Sequence, residues 1–600
     1  MISQHTRSKR PILCTPLGIV KRRKKLEMVS ATHLHNFMID DCLVDWLKLR
    51  SRPGTRKSPV YGTKNNFTEF VMNKGIEFED KLVRYINNTI LPVTKVSEYL
   101  TEEGYTKTIE YMQEGKPIIY SAPVKNMNTN TQGIIDLLVR SDMIHKLIEQ
   151  PPLTKEEADI GSPNLNHSFH YVVVDIKFST LRLRADGIHL LNSGHYPAYK
   201  AQTYVYNEAI GLIQGYTSPF AFIMGRRWKF TQKDINHSNY TCLNRLGRID
   251  FNTVDCKYPE LAKKAIDWVR DVKQNGAKWT VYPPSRKELY PNMCVNSGIW
   301  NQEKEKIADS IGEITNIWYL GTKHRNFGLE SNISSWKDPK CTTKRLNFNG
   351  NRSAIVDKIL KINRQKRDKI WPKKIMGNIS NWRCSTNEIF VDFETMSDIF
   401  ADFSELPRQK CSDMIFMIGV GWMEGKNWQY KNFICNQATY QEEYRIMDDF
   451  VQFVKSRGNP NIRYWYAEPN FWNRAECRQF DLAHEENDIE RKNHISDEWK
   501  NIGEWTDLYN LFLNEPIVLK GCFKFGLKPI AKVMKSYGMI KTSLESYCNS
   551  GMSAMINADR CYKLCENPST SDTMIDIAKY NQFDCKVLCE ILYYLRKNHC

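Results

Sequence analysis

The stretch that most constrains the fold of this chain is residues 171–180, YVVVDIKFST. Four apolar or aromatic residues lead into Asp175, one more apolar residue follows, and then comes Lys177. A run of this kind predicts a buried β-strand. Because side chains alternate along a strand, Asp175 and Lys177 would project from the same face, about 6–7 Å apart along the chain. Both charges need partners there, which a structural ion pair or a functional site would supply.

Two segments before this strand place a carboxylate beside an apolar pattern. The segment that starts at Phe67, FTEFVMNKGIEFEDKLVRYINNTI, predicts a helix with one buried apolar face that includes Ile76, and Glu79 lies at its edge. Residues 132–142, QGIIDLLVRSD, predict a strand in which Asp136 has two apolar residues on each side. A carboxylate in that position usually serves as a ligand or as a strongly hydrogen-bonded group.

Two segments after the strand add further polar groups. Residues 196–211, YPAYKAQTYVYNEAIG, predict a helix on which Gln202 and Tyr206 share a face at i and i+4. Residues 219–230, PFAFIMGRRWKF, predict another strand. This strand ends in three cations that are candidates for contacts with a nucleic-acid backbone: Arg226, Arg227 and Lys229.

In chain order, the candidate site residues of this half are Glu79, Asp136, Asp175, Lys177, Gln202 and Tyr206. The patterns G-x-x-F-E, G-x-x-D-L-L-V, D-x-K and Q-x-x-x-Y, over residues 75–206, resemble the PD-(D/E)XK nuclease core in its RecB-like form. Two positions depart from the family: Phe78 stands where His is common, and Asp175 stands where the acid is often Glu. Both departures leave every carboxylate in place.

The resemblance implies a role for each of these side chains. The three carboxylates would hold one or two Mg²⁺ or Mn²⁺ ions, which are hard cations that prefer oxygen ligands. Lys177 would position or deprotonate the attacking water, or stabilise the charge on the phosphate. Gln202, on the helix that also carries Tyr206, would orient the nucleophile or a phosphate.

A second set of polar residues begins at residue 388 with EIFVDFETMSD. The pattern predicts a strand on which Asp392 and Glu394 face the same way. Further strands are predicted at 414–422, 427–434 and 462–468, the last with Glu468 at its end, and a helix at 442–456. The final predicted helix, 571–598, carries Tyr580 and Asp584 on one face at i and i+4.

The D-F-E-T at the first strand and Y-N-x-x-D-C on the last helix resemble RNase H-like DEDD 3′–5′ exonucleases of the tyrosine subtype. The resemblance implies a two-metal site in which Asp392 bridges both ions and Glu394 and Asp584 each complete one. Tyr580 would orient the attacking water. Glu468 is our choice for the remaining carboxylate because of its position after the fourth strand, and Asp507 in WTDLY is the alternative.

We therefore predict an α/β fold throughout, with four parts. These are a basic, partly disordered arm (1–60), a PD-(D/E)XK restriction-endonuclease-like domain (61–285), a helical connector (286–384) and an RNase H-like domain (385–600). Helices are predicted in the connector at 303–320 and 352–369. The connector either only joins the domains or also clamps DNA with the cations of INRQKRDKIWPKK: Arg364, Lys366 and Arg367.

The charge and the cysteines indicate the partner and the compartment. A net charge of +17 favours a polyanion, with nucleic acid first and an acidic membrane surface second. Seventeen cysteines are too few for a disulfide scaffold in a chain of 600 residues, which favours a reducing intracellular compartment: cytoplasm, nucleus or virus factory. No apolar run reaches the length of about 18 residues that a membrane span needs.

These features together predict a Mg²⁺- or Mn²⁺-dependent nuclease with two sites, acting on DNA in preference to RNA. Tandem domains of these two kinds resemble predicted nucleases of bacteria and large DNA viruses, and such a protein would have replication or repair proteins as partners. One rival function is a nucleic-acid-binding scaffold in which one or both sites are inactive. A membrane-surface protein is the third, although an amphipathic anchor of adequate length is missing from the sequence.

Overall fold

The structure, a computed structural model, describes residues 27–50, 65–377, 381–400, 403–408, 414–465, 502–548 and 550–600. It is a mixed α/β fold with two large mixed sheets, as the sequence predicts. Most of the predicted basic arm lies outside the described residues, as does Glu468. Within the described part, no helix is both long enough and apolar enough to cross a membrane.

The first half is built around an eight-stranded sheet. Its strands are β1 (Val29–Ser30), β2 (Val93–Lys95), β3 (Ile118–Asn126), β4 (Thr131–Arg140), β5 (Tyr171–Arg182), β6 (Phe220–Gln232), β7 (Ile235–Asn239) and β8 (Gly247–Asp250). Its helices are α1 (His35–Met38), α2 (Leu43–Arg50), α3 (Asn65–Thr89), α4 (Glu102–Gln113), α5 (Ile144–Leu147), α6 (Lys155–Ala158), α7 (Tyr196–Gln214) and α8 (Tyr258–Asn275). The strand order is β2-β3-β4-β5-β6-β7, with β1 beside β4 and β8 beside β6. Strands β3, β4 and β5 are antiparallel neighbours, whereas β5 and β6 run parallel because α7 crosses between them.

Helices cover both faces of this sheet. Helix α3 packs Phe78, Leu82 and Ile86 against one face, while α7 and α8 pack against the other. The helical period of the sequence predicts this burial correctly except at Ile76, whose side chain is 59% exposed because it points away from the sheet. The strand with the D-x-K pattern is therefore buried between two helical layers, which explains its nearly continuous apolar run.

The second half contains a five-stranded sheet in the order β12-β11-β10-β13-β14. The strands after β8 are β9 (Ile370–Trp371), β10 (Glu388–Met396), β11 (Met414–Glu424), β12 (Asn427–Ile434), β13 (Asn461–Tyr464), β14 (Glu504–Asp507) and β15 (Val518–Leu519). The helices are α9 (Asn301–Ile311), α10 (Thr322–Glu330), α11 (Ser353–Arg364), α12 (Tyr440–Ser456), α13 (Leu508–Asn514), α14 (Leu527–Ser536), α15 (Gly551–Leu564) and α16 (Asp572–His599). Strands β10, β11 and β12 are antiparallel, and β13 and β14 run parallel to β10.

The interval predicted as a connector packs into both halves. Leu289 and Ile307 belong to the core of the first half, whereas α11 packs in one core with α13 and α16. Strand β9 pairs antiparallel with β15, which joins this interval directly to the second half. The helix predicted at 303–320 ends at Ile311, because Gly312 takes a left-handed conformation with φ of +69° and closes it.

Candidate active sites

The first candidate site lies where β4 and β5 separate. The two strands pair in register up to Leu137 and Val174, and the backbone ladder stops there. Beyond that point, the Asp136 carboxylate accepts a hydrogen bond of 2.7 Å from the backbone N–H of Ile176. The side chain of Asp136 thus replaces the next ladder bond and holds the diverging strands together. The divergence leaves room for side chains from both strands to meet.

Lys177 is the cation of this site. Its Nζ lies 2.5 Å from Asp175 Oδ2 and 4.0 Å from Asp136 Oδ2. Burial lowers the pKa of Lys177, but the two carboxylates outweigh that effect and raise the pKa above its usual value. Burial and the charge of Asp175 raise the pKa of Asp136 well above its usual value. The pairing of β5 with β6 is irregular directly after Lys177, as is common for strands beside active sites.

Glu79 reaches the same site from α3. Burial raises its pKa, and its electrostatic neighbours include Lys177 and Asp175. Tyr120 on β3 is an electrostatic neighbour of Glu79, and burial together with the Glu79 charge raises the pKa of Tyr120. Tyr120 was not among the candidate residues, because a tyrosine within an apolar strand has no pattern that distinguishes it from a core residue.

Gln202 and Tyr206 meet the site from α7. Gln202 Nε2 donates to Tyr206 Oη at 3.0 Å and to Asp175 Oδ1 at 3.4 Å. A Cβ atom at Gly133 on β4 would overlap the ring of Tyr206. The glycine of the Q-G-I-I-D pattern therefore leaves the space that this ring occupies. The structure therefore brings all six residues predicted for the first site to the place where β4 and β5 separate.

The second candidate site lies on β10, at the face covered by α16. Asn581 Nδ2 donates to Asp392 Oδ2 at 3.1 Å and to Glu394 Oε1 at 3.4 Å, so one amide joins both carboxylates. The hydroxyl of Tyr430 donates to Asn581 Oδ1 at 2.9 Å and fixes the orientation of that amide. The pairing of β10 with β11 is irregular directly after Glu394, as it is after Lys177 in the first site.

A lysine that the sequence did not single out completes this site. Lys528 on α14 donates a hydrogen bond to the hydroxyl of Tyr580, and its ammonium lies 4.1 Å from the centre of that ring. Asp584 lies one helical turn after Tyr580 on the same face of α16. Burial raises the pKa of Asp584 to about 6, although Lys528 opposes the shift. Lys528 lies in the amphipathic pattern GLKPIAK, and nothing in that pattern distinguishes it from a surface lysine. Asn581, by contrast, could have been found from the sequence, because it follows Tyr580 inside the Y-N-x-x-D-C pattern.

The acidic groups of the second site affect one another strongly. Burial and the Asp584 charge raise the pKa of Asp392 well above its usual value. Burial and the charge of Asp392 do the same for Glu394. Burial and Asp584 also raise the pKa of Tyr580, which is therefore a neutral phenol at physiological pH. Carboxylates that crowd together in this way bind a cation favourably.

Of the two candidates for the remaining carboxylate of the second site, Asp507 is among the described residues and Glu468 is not. Glu468 lies outside the described residues, so its role stays a prediction. Asp507 caps α13, since its Oδ1 accepts from the Tyr509 backbone N–H at 2.9 Å. Strand β14 is separated from β10 by β13, which places Asp507 about 10 Å from the strand of Asp392.

The cations predicted to contact nucleic acid lie in different environments. Arg226 is buried, with its guanidinium 5.0 Å from the centre of the Phe178 ring, so it is not exposed to a nucleic-acid backbone. Arg364 donates to the backbone carbonyls of Trp336 and Cys341, each at 2.7 Å. Arg227 is half-buried, and the remaining predicted cations are exposed: Lys229, Lys366 and Arg367.

The oxygen-rich donors of both sites suit Mg²⁺ or Mn²⁺. Asp584 Oδ1 is buried and accepts no hydrogen bond from the described residues, a state in which a carboxylate oxygen favours a cation. Over the same described ranges, no three carboxylate, histidine or cysteine side chains are already arranged as metal ligands. Asp175 and Asp136 lie instead beside the ammonium group of Lys177, and Lys528 is the cationic neighbour of Asp392, Glu394 and Asp584. The donor chemistry therefore fits a divalent cation, and binding one would shift these ammonium groups.

No protein-family model matches the chain, and no curated protein is similar enough to match it.

Proposed function

We propose that this chain is a metal-dependent nuclease that hydrolyses phosphodiester bonds at two sites, with DNA as the favoured substrate. One observation carries the proposal: in each half, buried and half-buried carboxylates from separate elements have one lysine as their common electrostatic neighbour, Lys177 in the first half and Lys528 in the second. A lone ion pair of structural origin needs one acid for each base, whereas each of these lysines faces several acids. The surplus negative charge at each site is what a divalent cation would neutralise.

The arrangement of the elements supports the family assignments behind this proposal. The mixed sheet with α7 crossing between β5 and β6 is compatible with a PD-(D/E)XK-like core. The β12-β11-β10-β13-β14 sheet, with the last helix packed on its central strand, is compatible with an RNase H-like domain. The 3′–5′ direction of the second site and the preference for DNA follow from the resemblance and from the charge.

The chain's own side chains have distinct tasks at the first site. Because Asp175 and Asp136 raise its pKa, Lys177 stays protonated at neutral pH and is suited to stabilising negative charge on a phosphate. It is not suited to accepting a proton from water. Gln202, held by Tyr206, presents an amide beside Asp175 that can orient a water or a phosphate oxygen.

The second site contains a hydrogen bond between a lysine and a tyrosine. Lys528 donates to the hydroxyl of Tyr580, which restricts the orientation of the phenol. A fixed neutral phenol can orient a water but cannot act as a base. Asp392, Glu394 and Asp584 would hold a divalent cation here, and Glu79, Asp136 and Asp175 would hold one at the first site. Such a cation supplies activation of water and neutralises charge on the scissile phosphate.

The test is degradation of 5′- and 3′-labelled single- and double-stranded DNA with Mg²⁺ or Mn²⁺, with matched RNA alongside. The wild type is compared with Lys177→Ala and Asp392→Ala. We expect the wild type to cut and each variant to lose its own set of products. A variant with wild-type products would show that its half only binds. Binding of DNA without cutting in either metal would contradict the proposal.

A nucleic-acid-binding scaffold remains the second candidate function. It is favoured by the arrangement of the carboxylates around lysines rather than as ready metal ligands among the described residues. In that case, affinity for DNA would fall steeply with salt, because basic residues would supply most of the binding. Neither Mg²⁺ nor Mn²⁺ would then produce cleavage at an inactive site, and the substitution at that site would leave the binding of DNA unchanged.

A further inference from the structure

Three phenyl rings meet behind the first site, and one of them comes from the other half of the chain. Phe78 precedes Glu79 on α3, and Phe178 follows Lys177 on β5. The centroids of these two rings lie 5.8 Å apart. Phe403, on the segment that follows β10, has its ring centroid 5.5 Å from each of them. With a side chain that is 4% exposed, Phe403 is a full member of this core.

Backbone and cationic contacts fix the segment that carries Phe403. The carbonyl of Pro407 accepts from the backbone N–H of Cys242 at 3.0 Å, and Thr241 forms an antiparallel bridge with Arg408. On α3, the ammonium groups of Lys74 and Lys81 lie 5.1 and 5.8 Å from the centre of the Phe403 ring. Contacts of this kind between a cation and a ring are attractive. The segment is therefore held on the first half at the Phe403 ring and at the residues that follow it.

We propose that Phe403 is a positioning residue of the first site, so that this site is complete only when the second half is docked. The proposal rests on the proposed function. Glu79 and Lys177 come from α3 and β5, and the three rings fill the space between these two elements. Because interiors are close-packed, removal of the ring would allow α3 to move relative to β5. A displacement of about 1 Å between catalytic groups is enough to slow a reaction strongly.

A second aromatic contact across the same interface provides a matched control. Phe400 lies on the same segment, and its ring centroid is 4.9 Å from that of Phe70 on α3. Phe70 precedes Glu79 by nine residues, which corresponds to about 13 Å along the helix. Phe400→Ala therefore weakens the docking of the two halves at a distance from the site. If Phe403 positions the first site, Phe403→Ala should alter that site and Phe400→Ala should not.

The experiment uses the full chain with Asp392→Asn and Asp584→Asn to silence the second site. In that background, we expect Phe403→Ala to weaken Mn²⁺ binding, measured by electron paramagnetic resonance, and to lower kcat, each by about tenfold as for other residues that orient ligands. The KM for DNA should stay unchanged. Phe403→Leu, which preserves most of the volume, should restore both values. Phe400→Ala should lower only the thermal midpoint.

Hydrogen exchange separates this inference from the proposed function, because it needs neither metal nor cleavage. Phe403→Ala should speed amide exchange around Glu79 and Lys177, and Phe400→Ala should not. In a Lys177→Ala background, Phe403→Ala should leave the second site's products unchanged. The inference is overturned if the exchange is unaltered, if Phe400→Ala has the same effect, or if both sites fail together. Absence of cleavage in every form would contradict the proposed function alone.

Discussion

The side-chain amide of Asn581 lies directly over Gly419, and a Cβ atom at position 419 would overlap its oxygen. Gly419 is the residue of β11 that pairs in register with Asp392. The glycine thus makes room for the amide that joins Asp392 to Glu394. Gly133 has the corresponding relationship with Tyr206 in the first site. In both sheets, a glycine on the neighbouring strand allows a helix to present a polar group to the site.

Gly419→Ala should therefore damage the second site. The added methyl group forces Asn581 away, and overpacking of this kind costs about 1–3 kcal/mol of stability. We expect loss of the products attributed to the second site, with those of the first site retained. Gly551→Ala is the control, because a Cβ atom there meets nothing within 4 Å. Equal activity of the two variants would show that Asn581 does not orient the carboxylates.

Lys528→Met should lower kcat at the second site, by roughly 10²-fold if the ammonium stabilises charge in the transition state. Lys528→Arg, which keeps the charge but not the shape, should lose less. Lys532→Met is the matched control, since Lys532 is exposed one helical turn further along α14. The rates are measured with 3′-labelled DNA in a Lys177→Ala background. If Lys528→Met is as active as the Lys532→Met control, the Lys528 ammonium does not contribute to catalysis at the second site.

Divalent cations should stabilise the folded protein, because they relieve the repulsion between buried carboxylates. We expect Mn²⁺ to raise the thermal midpoint and EDTA to reverse the change. Asp136→Asn and Asp392→Asn should each remove part of the shift, and the double variant should remove nearly all of it. NaCl at matched ionic strength serves as the control for general ionic effects. A shift that persists in the double variant would place the bound cations elsewhere.

His170 should make stability depend on pH. Burial lowers its pKa, and its Nδ1 lies 2.8 Å from the carbonyl oxygen of Ile160. The unfolded chain takes up a proton near pH 6.5, whereas the folded chain does so only at lower pH. The free energy of unfolding therefore falls as pH drops below about 6.5, since the unfolded state binds more protons there.

The measurement for His170 is urea unfolding at pH 7.5 and 5.5. His170→Gln should reduce the difference in unfolding free energy between the two pH values. His145→Gln, at an exposed position, should leave that difference as it is in the wild type. An unchanged difference in His170→Gln would assign the pH dependence to other groups.

The sequence by itself determined the secondary structure around both sites. The apolar run ending in D-x-K, the interrupted strand with Asp136 and the helix with Gln202 and Tyr206 are all present where the patterns predict them. The same holds for the strand with Asp392 and Glu394 and for the final helix. These features are local, because alternation on a strand and i, i+4 spacing on a helix follow from backbone geometry alone.

Only the tertiary structure decided which groups from distant segments complete the sites. Tyr120, Lys528 and Phe403 have neighbours that lie far from them in sequence, and their local patterns are those of ordinary core or surface residues. The buried state of Arg226 was decided in the same way, by the packing of β6 beside Phe178. A sequence pattern specifies which face of an element a side chain occupies. What lies opposite that face depends on how the sheets and helices pack.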